Sequence, residues 1–333
     1  MTPSESHALM RRELEEQPRI LAEAAERLSA HAMGFGLARG MPLFAGGCGD
    51  SLFAAQALTR HFRLNERTLR PLSAAEALWE TAFGADDAFV AVSISGSTLR
   101  SVEAVRRARA AGAHTIAVTL NPDSALAAAA NAALRLPYSP ISRAIPHGLD
   151  YQMTLLALGA LAGEIDGPAL GRMLKDATPA LLDEARGIAA AMPSNGRFFF
   201  LGSGAALGSA HYGAAKMHEA GGLPAWSFES ENFAHGAQFM LRTGDHVVLC
   251  GSGGPGDART AMLRGGLERL GCSVSAAALE DGTDGLAAAM RAGLAAQALC
   301  LAVAEARGLD VTEPAGGSGA AEVQSDWFGW SSD

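Results

Sequence analysis

The chain is poor in cysteine, in clustered basic residues and in long apolar runs, and each shortage excludes something. The four cysteines, Cys48, Cys250, Cys272 and Cys300, stand far apart, with no Cys-x-x-Cys pair and no histidine at metal-ligand spacing. A zinc ribbon and a disulfide framework are therefore excluded, and the pattern fits reduced thiols in a cytoplasmic protein. No metal and no organic cofactor is expected. Charged residues make up 18% of the chain, the net charge is −9, and no Lys/Arg cluster opposes it. That balance argues against a nucleic-acid partner. Arg106, Arg107 and Arg109 do lie together, but on one predicted helix, where they read as a solvated stripe. No stretch approaches the roughly 20 apolar residues that a bilayer span needs, and the charged N-terminus has no signal-type apolar core. The expected protein is cytoplasmic and touches no membrane.

What is present points to a layered α/β protein. With 333 residues, 49% of them apolar, the chain can build two domains or one large one. The most informative stretch is Phe89-Val-Ala-Val-Ser-Ile-Ser-Gly-Ser-Thr98 and the helical run after it. Four apolar residues read as a buried parallel strand. Ser93, Ser95, Gly96, Ser97 and Thr98 fill a turn, and Val102 and Val105 continue at helical spacing up to Gly112. A helix N-terminus offers free N–H groups and a partial positive charge, and hydroxyls beside it complete a cradle for an anion such as a phosphate monoester. The bland alternative is a helix capped by Ser or Thr.

Around this stretch, short apolar runs alternate with helical ones. Strands are expected at 41–45, 69, 114–120 and 133–136, and helices at 52–62, 74–81 and 124–131. This is the order of a doubly wound parallel sheet. A long helix over 5–33 precedes it, with Pro18 expected to interrupt or kink it. Two helices, 148–163 and 168–192, lead to a second half in which the pattern starts again. Gly47 and Gly49 recur as Gly202 and Gly204 at an offset of 155, Ser93 as Gly251 at 158, and Gly112 as Gly271 at 159. An internal duplication of an α/β unit follows. The copies differ in the turn. Gly251-Ser-Gly-Gly-Pro-Gly-Asp257 has one hydroxyl and ends in an acid, which repels a phosphate at a helix start. One phosphate site is therefore expected, in the first half.

The second half offers acid–base groups instead. Glu219 ends a helix expected over 207–219, just before Gly221 and Gly222. His235 closes the polar segment Phe228-Glu-Ser-Glu-Asn-Phe-Ala-His235. A carboxylate can shuttle protons between adjacent sugar carbons, and a histidine can assist ring opening. Taken alone, the two also read as a solvated helix end and a turn histidine. A serine hydrolase is not supported, because Leu201-Gly-Ser-Gly204 lacks the full nucleophile elbow. A dinucleotide fold is not supported either, because the glycine turn at 46–49 lacks the third glycine of the fingerprint.

Together these motifs resemble the tandem sugar isomerase (SIS) domain proteins, a family of phosphosugar isomerases, deaminases and deglycases that includes the isomerase half of glucosamine-6-phosphate synthase. Met10-Arg-Arg-Glu-Leu-Glu-Glu-Gln-Pro18 is similar to the family's opening, Gly47-Cys-Gly-Asp-Ser51 to its first phosphate turn, and Ser93-Ile-Ser-Gly-Ser-Thr98 to its second. Lys216-Met-His-Glu219 and His235-Gly236 are similar to its acid–base motifs. The resemblance runs from about residue 9 to about 314. It implies that Ser51, Ser93, Ser95 and Thr98, with Gly49 in the turn, hold a sugar phosphate. It implies that Glu219 moves protons between C1 and C2, and that His235 acts in ring opening from a neighbouring subunit of a homodimer with shared active sites. Arg143, His147 and Glu231 are further candidate substrate contacts.

The departures narrow the expectation. No lysine follows Lys216, so the imine-forming lysine of the family's synthases has no counterpart, and no amidotransferase segment is visible. The chain is expected not to be a glucosamine synthase. The leading reading is isomerisation or deamination of a 6-phosphorylated amino or amine-linked sugar. The alternatives are a fructosamine-6-phosphate deglycase and a phosphosugar sensor without turnover. The expected layout is a helical segment 1–34, a first SIS unit 35–165 with the phosphate site, and a helical linker 166–195. A second SIS unit 196–314 carries the acid–base groups, and a Gly/Ser-rich tail 315–333 ends in aromatics.

Overall fold

The computed structural model describes residues 1–279, 282–313 and 315–330. The expected unit boundary at 314 and tail positions 331–333 lie outside the described residues. The first half is a five-stranded parallel sheet of β1 (Leu43–Gly47), β2 (Leu69–Ser73), β3 (Ala88–Val92), β4 (His114–Thr119) and β5 (Ala132–Arg135), in the order β2-β1-β3-β4-β5. The second is a four-stranded parallel sheet of β6 (Phe198–Gly202), β7 (Ala225–Glu229), β8 (His246–Cys250) and β9 (Ser273–Ala277), in the order β7-β6-β8-β9. The two orders superpose as a repeat, with β5 unmatched. Strands β1, β3, β6 and β8 are buried along their whole length, which is why they read as unbroken apolar runs rather than alternating ones.

Both sheets follow the doubly wound logic expected, with helices as crossovers. The first half carries α2 (Asp50–Ala57), α3 (Thr59–Leu64), α4 (Leu99–Ala110) and α5 (Ala125–Ala129). The second carries α8 (Ala206–Glu219), α9 (Ser230–Ala234), α10 (Gly256–Ala261) and α11 (Arg264–Arg269). Four long helices tie the halves together: α1 (Pro3–Met33), α6 (Gly148–Ala160), α7 (Gly167–Ala191) and α12 (Gly285–Arg307). The sheets meet where α2 crosses α8. A Cβ on Gly208 would lie 2.3 Å from the Ala57 nitrogen and 2.5 Å from the Phe53 carbonyl, so only glycine lets these helices approach. Tyr151 of α6 and Tyr212 of α8 stack across the same seam, with ring centroids 3.5 Å apart.

Several local expectations change. Pro18 does not divide the first helix, which runs over 31 residues with Pro18 inside it. Packing along α6, α7 and α12 outweighs the one lost backbone hydrogen bond. The single helix expected over 52–62 breaks at Leu58, and the helix expected over 74–81 is a short π-type turn, Glu76–Glu80. Arg107 and Arg109 are not a purely solvated stripe. Their guanidiniums donate to the carbonyls of Leu78 and of Ala129 and Ala130. One helix, α12, is by length and composition apolar enough to cross a membrane, contrary to the sequence expectation, but 83% of its most apolar window is buried inside the fold. Its alanines pack against α7 and α8, the role of a core helix.

Candidate active site

The first phosphate-type turn leaves β1 through Gly46 to Gly49, and the second leaves β3 at Ser93. Parallel strands end on the same edge of the sheet, so both turns and the N-termini of α2 and α4 open into one cleft. Its volume is about 610 Å³, and Ser51, Ser93, Ser95 and Thr98 line it together with Asp50.

The second turn is pre-shaped by its own hydroxyls. Ser93 Oγ lies 2.9 Å from Thr98 Oγ1 and accepts the Gly96 N–H at 3.1 Å, while Ser95 Oγ accepts the Ser97 N–H at 3.2 Å. Gly96 has φ 68°, and a Cβ there would fall 2.1 Å from Ser124 Oγ, so the turn requires glycine. Thr98 occupies the N-cap of α4, yet no side chain caps that helix. The bland reading of this stretch required such a bond. Ser124 makes it at α5 and Asp166 at α7, and α4 is left with its N-terminal donors facing the cleft. Gly49, at the N-cap of α2 with φ 54°, likewise provides no side-chain cap.

The end of α8 is tied to the wall of the cleft through Asp50. Lys216 is 1% exposed, and its ammonium donates to Asp50 at 2.8 Å and to Glu219 at 2.5 Å. This bridge ties the start of α2, beside the phosphate turn, to the end of α8. Burial works against the Lys216 charge, but Asp50 and Glu219 outweigh it and hold its pKa above the ordinary value. The Glu219 side chain is 42% exposed, yet its carboxylate is crowded enough that desolvation, helped by Asp50, raises its pKa. Lys216 and His147 pull the other way. A carboxylate held above its usual range, one lysine away from the cleft-lining Asp50, has a property that proton transfer near neutral pH requires.

The other expected residues divide into two groups. Arg143 and His147 line the same cleft and both face Asp150, with Arg143 Nη1 at 2.8 Å and His147 Nδ1 at 3.8 Å from its Oδ2. His235 and Glu231 are not brought to it. They pair with each other on α9 at 3.3 Å, His235 is 74% exposed, and Glu231 is held mainly by Arg259 at 2.7 Å, which lowers its pKa. Among the described residues no cluster of His, Cys, Asp or Glu is arranged to hold a metal ion.

Sequence reasoning overlooked several groups. Asp50 and Lys216 lay inside quoted motifs, but their mutual bridge needs α2 and α8 to cross. The tail is a helix, α13 (Gly317–Gly329), whose Gln324 and Phe328 line the cleft. The tail's aromatics left docking on the body or a partner open beside a disordered end, but nothing in its composition pointed to this cleft.

The cleft lies at the carboxyl ends of the first of two parallel sheets, in a two-lobed α/β protein with a hydroxyl-lined turn in one lobe and the Lys216–Glu219 pair in the other. Residues 40–162 match the SIS domain family model. A glutamine–fructose-6-phosphate aminotransferase of Pyrobaculum aerophilum is 26% identical over 261 residues, covering 72% of this chain; the chain spans 42% of that relative's length. The glucosamine-6-phosphate deaminase of Thermotoga maritima has the same fold at a TM-score of 0.77 and 20% identity, covering 92% of this chain and 97% of that one. The tagatose-6-phosphate ketose/aldose isomerase of Escherichia coli follows at a TM-score of 0.74 and 16% identity, covering 90% and 93%.

Proposed function

We propose that the protein is a phosphosugar enzyme of the isomerase and deaminase type, acting on a 6-phosphorylated amino or amine-linked sugar. The observation that supports the reading is the Asp50–Lys216–Glu219 bridge, which ties the Glu219 carboxylate to Asp50 in the wall of the cleft that holds the hydroxyl-lined turn. The phosphate sits at Ser51, Ser93, Ser95 and Thr98, against the N-termini of α2 and α4. The sugar extends from it toward Glu219, which removes the proton at one carbon of the C1/C2 pair and returns it to the other. Lys216 neutralises Asp50, so that this carboxylate does not repel the phosphate, and it orients Glu219.

His235 enters this reading from a second copy of the chain, since in its own chain it stands exposed at the end of α9, where Glu231 is its one ion-pair partner among the described residues. It would assist ring opening in the partner's cleft, with Glu231 orienting it. The enzyme is then a homodimer with shared sites. Mixing Glu219→Gln chains with His235→Ala chains should restore part of the activity that each has lost.

Deglycation of a phosphorylated fructosamine is a second reading, favoured by one observation. The only lysine at this site, Lys216, is buried between two carboxylates and is not available to form an imine. That reaction needs Glu219 to move the proton between C1 and C2 and His235 to assist, after which water hydrolyses the imine formed on the sugar and the amine leaves, with no lysine taking part.

The test is a thermal-shift panel of hexose and hexosamine 6-phosphates against their unphosphorylated parents. Stabilisation by the phosphates only, abolished by Ser95→Ala with Thr98→Ala, is expected. Glu219→Gln should keep that stabilisation and lower turnover by about 10²-fold or more. Stabilisation with no turnover of any phosphosugar by the wild type would leave a sensor, and no stabilisation at all would overturn the phosphate assignment.

A further inference from the structure

The tail helix α13 crosses the cleft from one functional end to the other. Its start adjoins the turn that follows Glu219: a Cβ on Gly222 would come within 2.4 Å of Ala315 Cβ. Its end reaches the first turn of α4, where the Arg100 guanidinium lies 4.8 Å from the Trp330 ring centre and Trp79 packs edge-on at 6.3 Å. Between these anchors Gln324 and Phe328, one helical turn apart, face the cavity. In the helix Gln324 lies nearer the Ala315 anchor and Phe328 nearer the Trp330 anchor. Gln324 has no hydrogen-bonding partner among the described residues, so its amide is available as both donor and acceptor.

The cavity is also larger than its phosphate turn requires. A hexose phosphate takes up on the order of 250 Å³, the room of about eight waters at ~30 Å³ each, and the cleft measures about 610 Å³. Gln324, Phe328 and the half-exposed Arg143 all border this room.

Building on the proposed phosphosugar activity, we infer that α13 forms a subsite for the group carried on the sugar's nitrogen. Gln324 hydrogen-bonds that group, and Phe328 covers the apolar face of the sugar beside it. The helix is thus a specificity element, which separates N-substituted 6-phosphosugars from plain ones.

The test is calorimetric titration of the full chain with fructose 6-phosphate and with 6-phosphofructosyl-glycine, which share a phosphosugar and differ in the nitrogen substituent. The wild type should bind the substituted sugar more tightly. Gln324→Leu, which keeps the volume and loses the hydrogen bonds, should weaken the substituted ligand about tenfold and fructose 6-phosphate no more than about twofold, the difference one hydrogen bond makes. Gln324→Ala should repeat the selectivity if the leucine perturbs packing. Equal loss for both ligands, or none for either, would overturn the inference and leave the phosphosugar reading intact. Failure of both ligands to bind the wild type would overturn that reading and the subsite with it.

Discussion

In the first half, the turn after β3 leaves α4 without a side-chain cap, so its N-terminal donors face an open cleft. In the second half, the turn after β8 delivers the Ser252 and Gly253 N–H groups to the carboxylate of Asp257, at 2.9 and 2.8 Å. Asp257 is 8% exposed and sits where the repeat would place an anion. The duplicated backbone makes the same offer twice, and the second copy meets it with its own side chain. Even the backbone angles agree, with Gly49 at φ 54° and Gly204 at 59°, and Gly112 at 94° and Gly271 at 81°. Both turns aim backbone N–H groups at one place, and in the second copy the single acid Asp257 already takes them.

The comparison breaks most visibly at Asp257. Asp257→Ala leaves two N–H groups without their acceptor and should destabilise the protein by about 2–4 kcal/mol in urea denaturation. Ser95→Ala with Thr98→Ala, in the open turn, should cost about 1 kcal/mol or less while abolishing phosphosugar binding. Equal stability losses would mean that the two turns are built alike.

A second contrast is in pH dependence. Glu13, 3% exposed, accepts the Leu149 N–H at 3.0 Å, and burial raises its pKa to about 7. Its folded pKa lies above its unfolded one, so the folded state holds the extra proton in between, and stability falls as pH rises from about 4.5 through about 7. His246, 1% exposed between the hydroxyls of Ser273 and Ser275, is pushed down to about 4 by burial. The unfolded chain takes up that proton first, so stability is lost as pH falls from about 6.5 toward 4. Each limb should be on the order of 2–3 kcal/mol. Glu13→Gln should flatten the first and leave the second, as read by denaturation midpoints across pH.

The smallest expected effect concerns the cover. Among the described residues α13 shares its cavity with the turns of the first half and not with the Gly251–Asp257 turn, and Trp330 holds that helix by contacts worth roughly 1–2 kcal/mol. Trp330→Ala should speed proteolysis near residues 316–317 by about tenfold with no change in global stability. An unchanged rate would show that α13 is held by other contacts.

Much of this was legible in the residues. The buried strands announce themselves because a parallel sheet covered on both faces needs unbroken apolar runs, and Phe198-Phe-Phe-Leu201 and Phe89-Val-Ala-Val92 are such runs. The glycines and hydroxyls of the turns are equally local, since left-handed backbone and helix starts depend on near neighbours. Pro18 misled because its effect on a helix depends on how much packing surrounds it. The paired arginines of α4 misled because their acceptors are carbonyls of other elements.

The sequence by itself therefore determined the repeated α/β architecture, the two glycine turns and the candidates Glu219 and Ser93 to Thr98, all set by short-range chemistry and periodicity. Only the tertiary structure decided that Lys216 joins Asp50 to Glu219, that Asp257 fills the second turn, that His235 and Glu231 face away from the cleft of their own chain, and that α13 roofs it. Each of these pairs groups far apart in the chain or turns on which way a side chain faces, and such contacts depend on how helices cross and sheets are laid side by side, which no local pattern encodes.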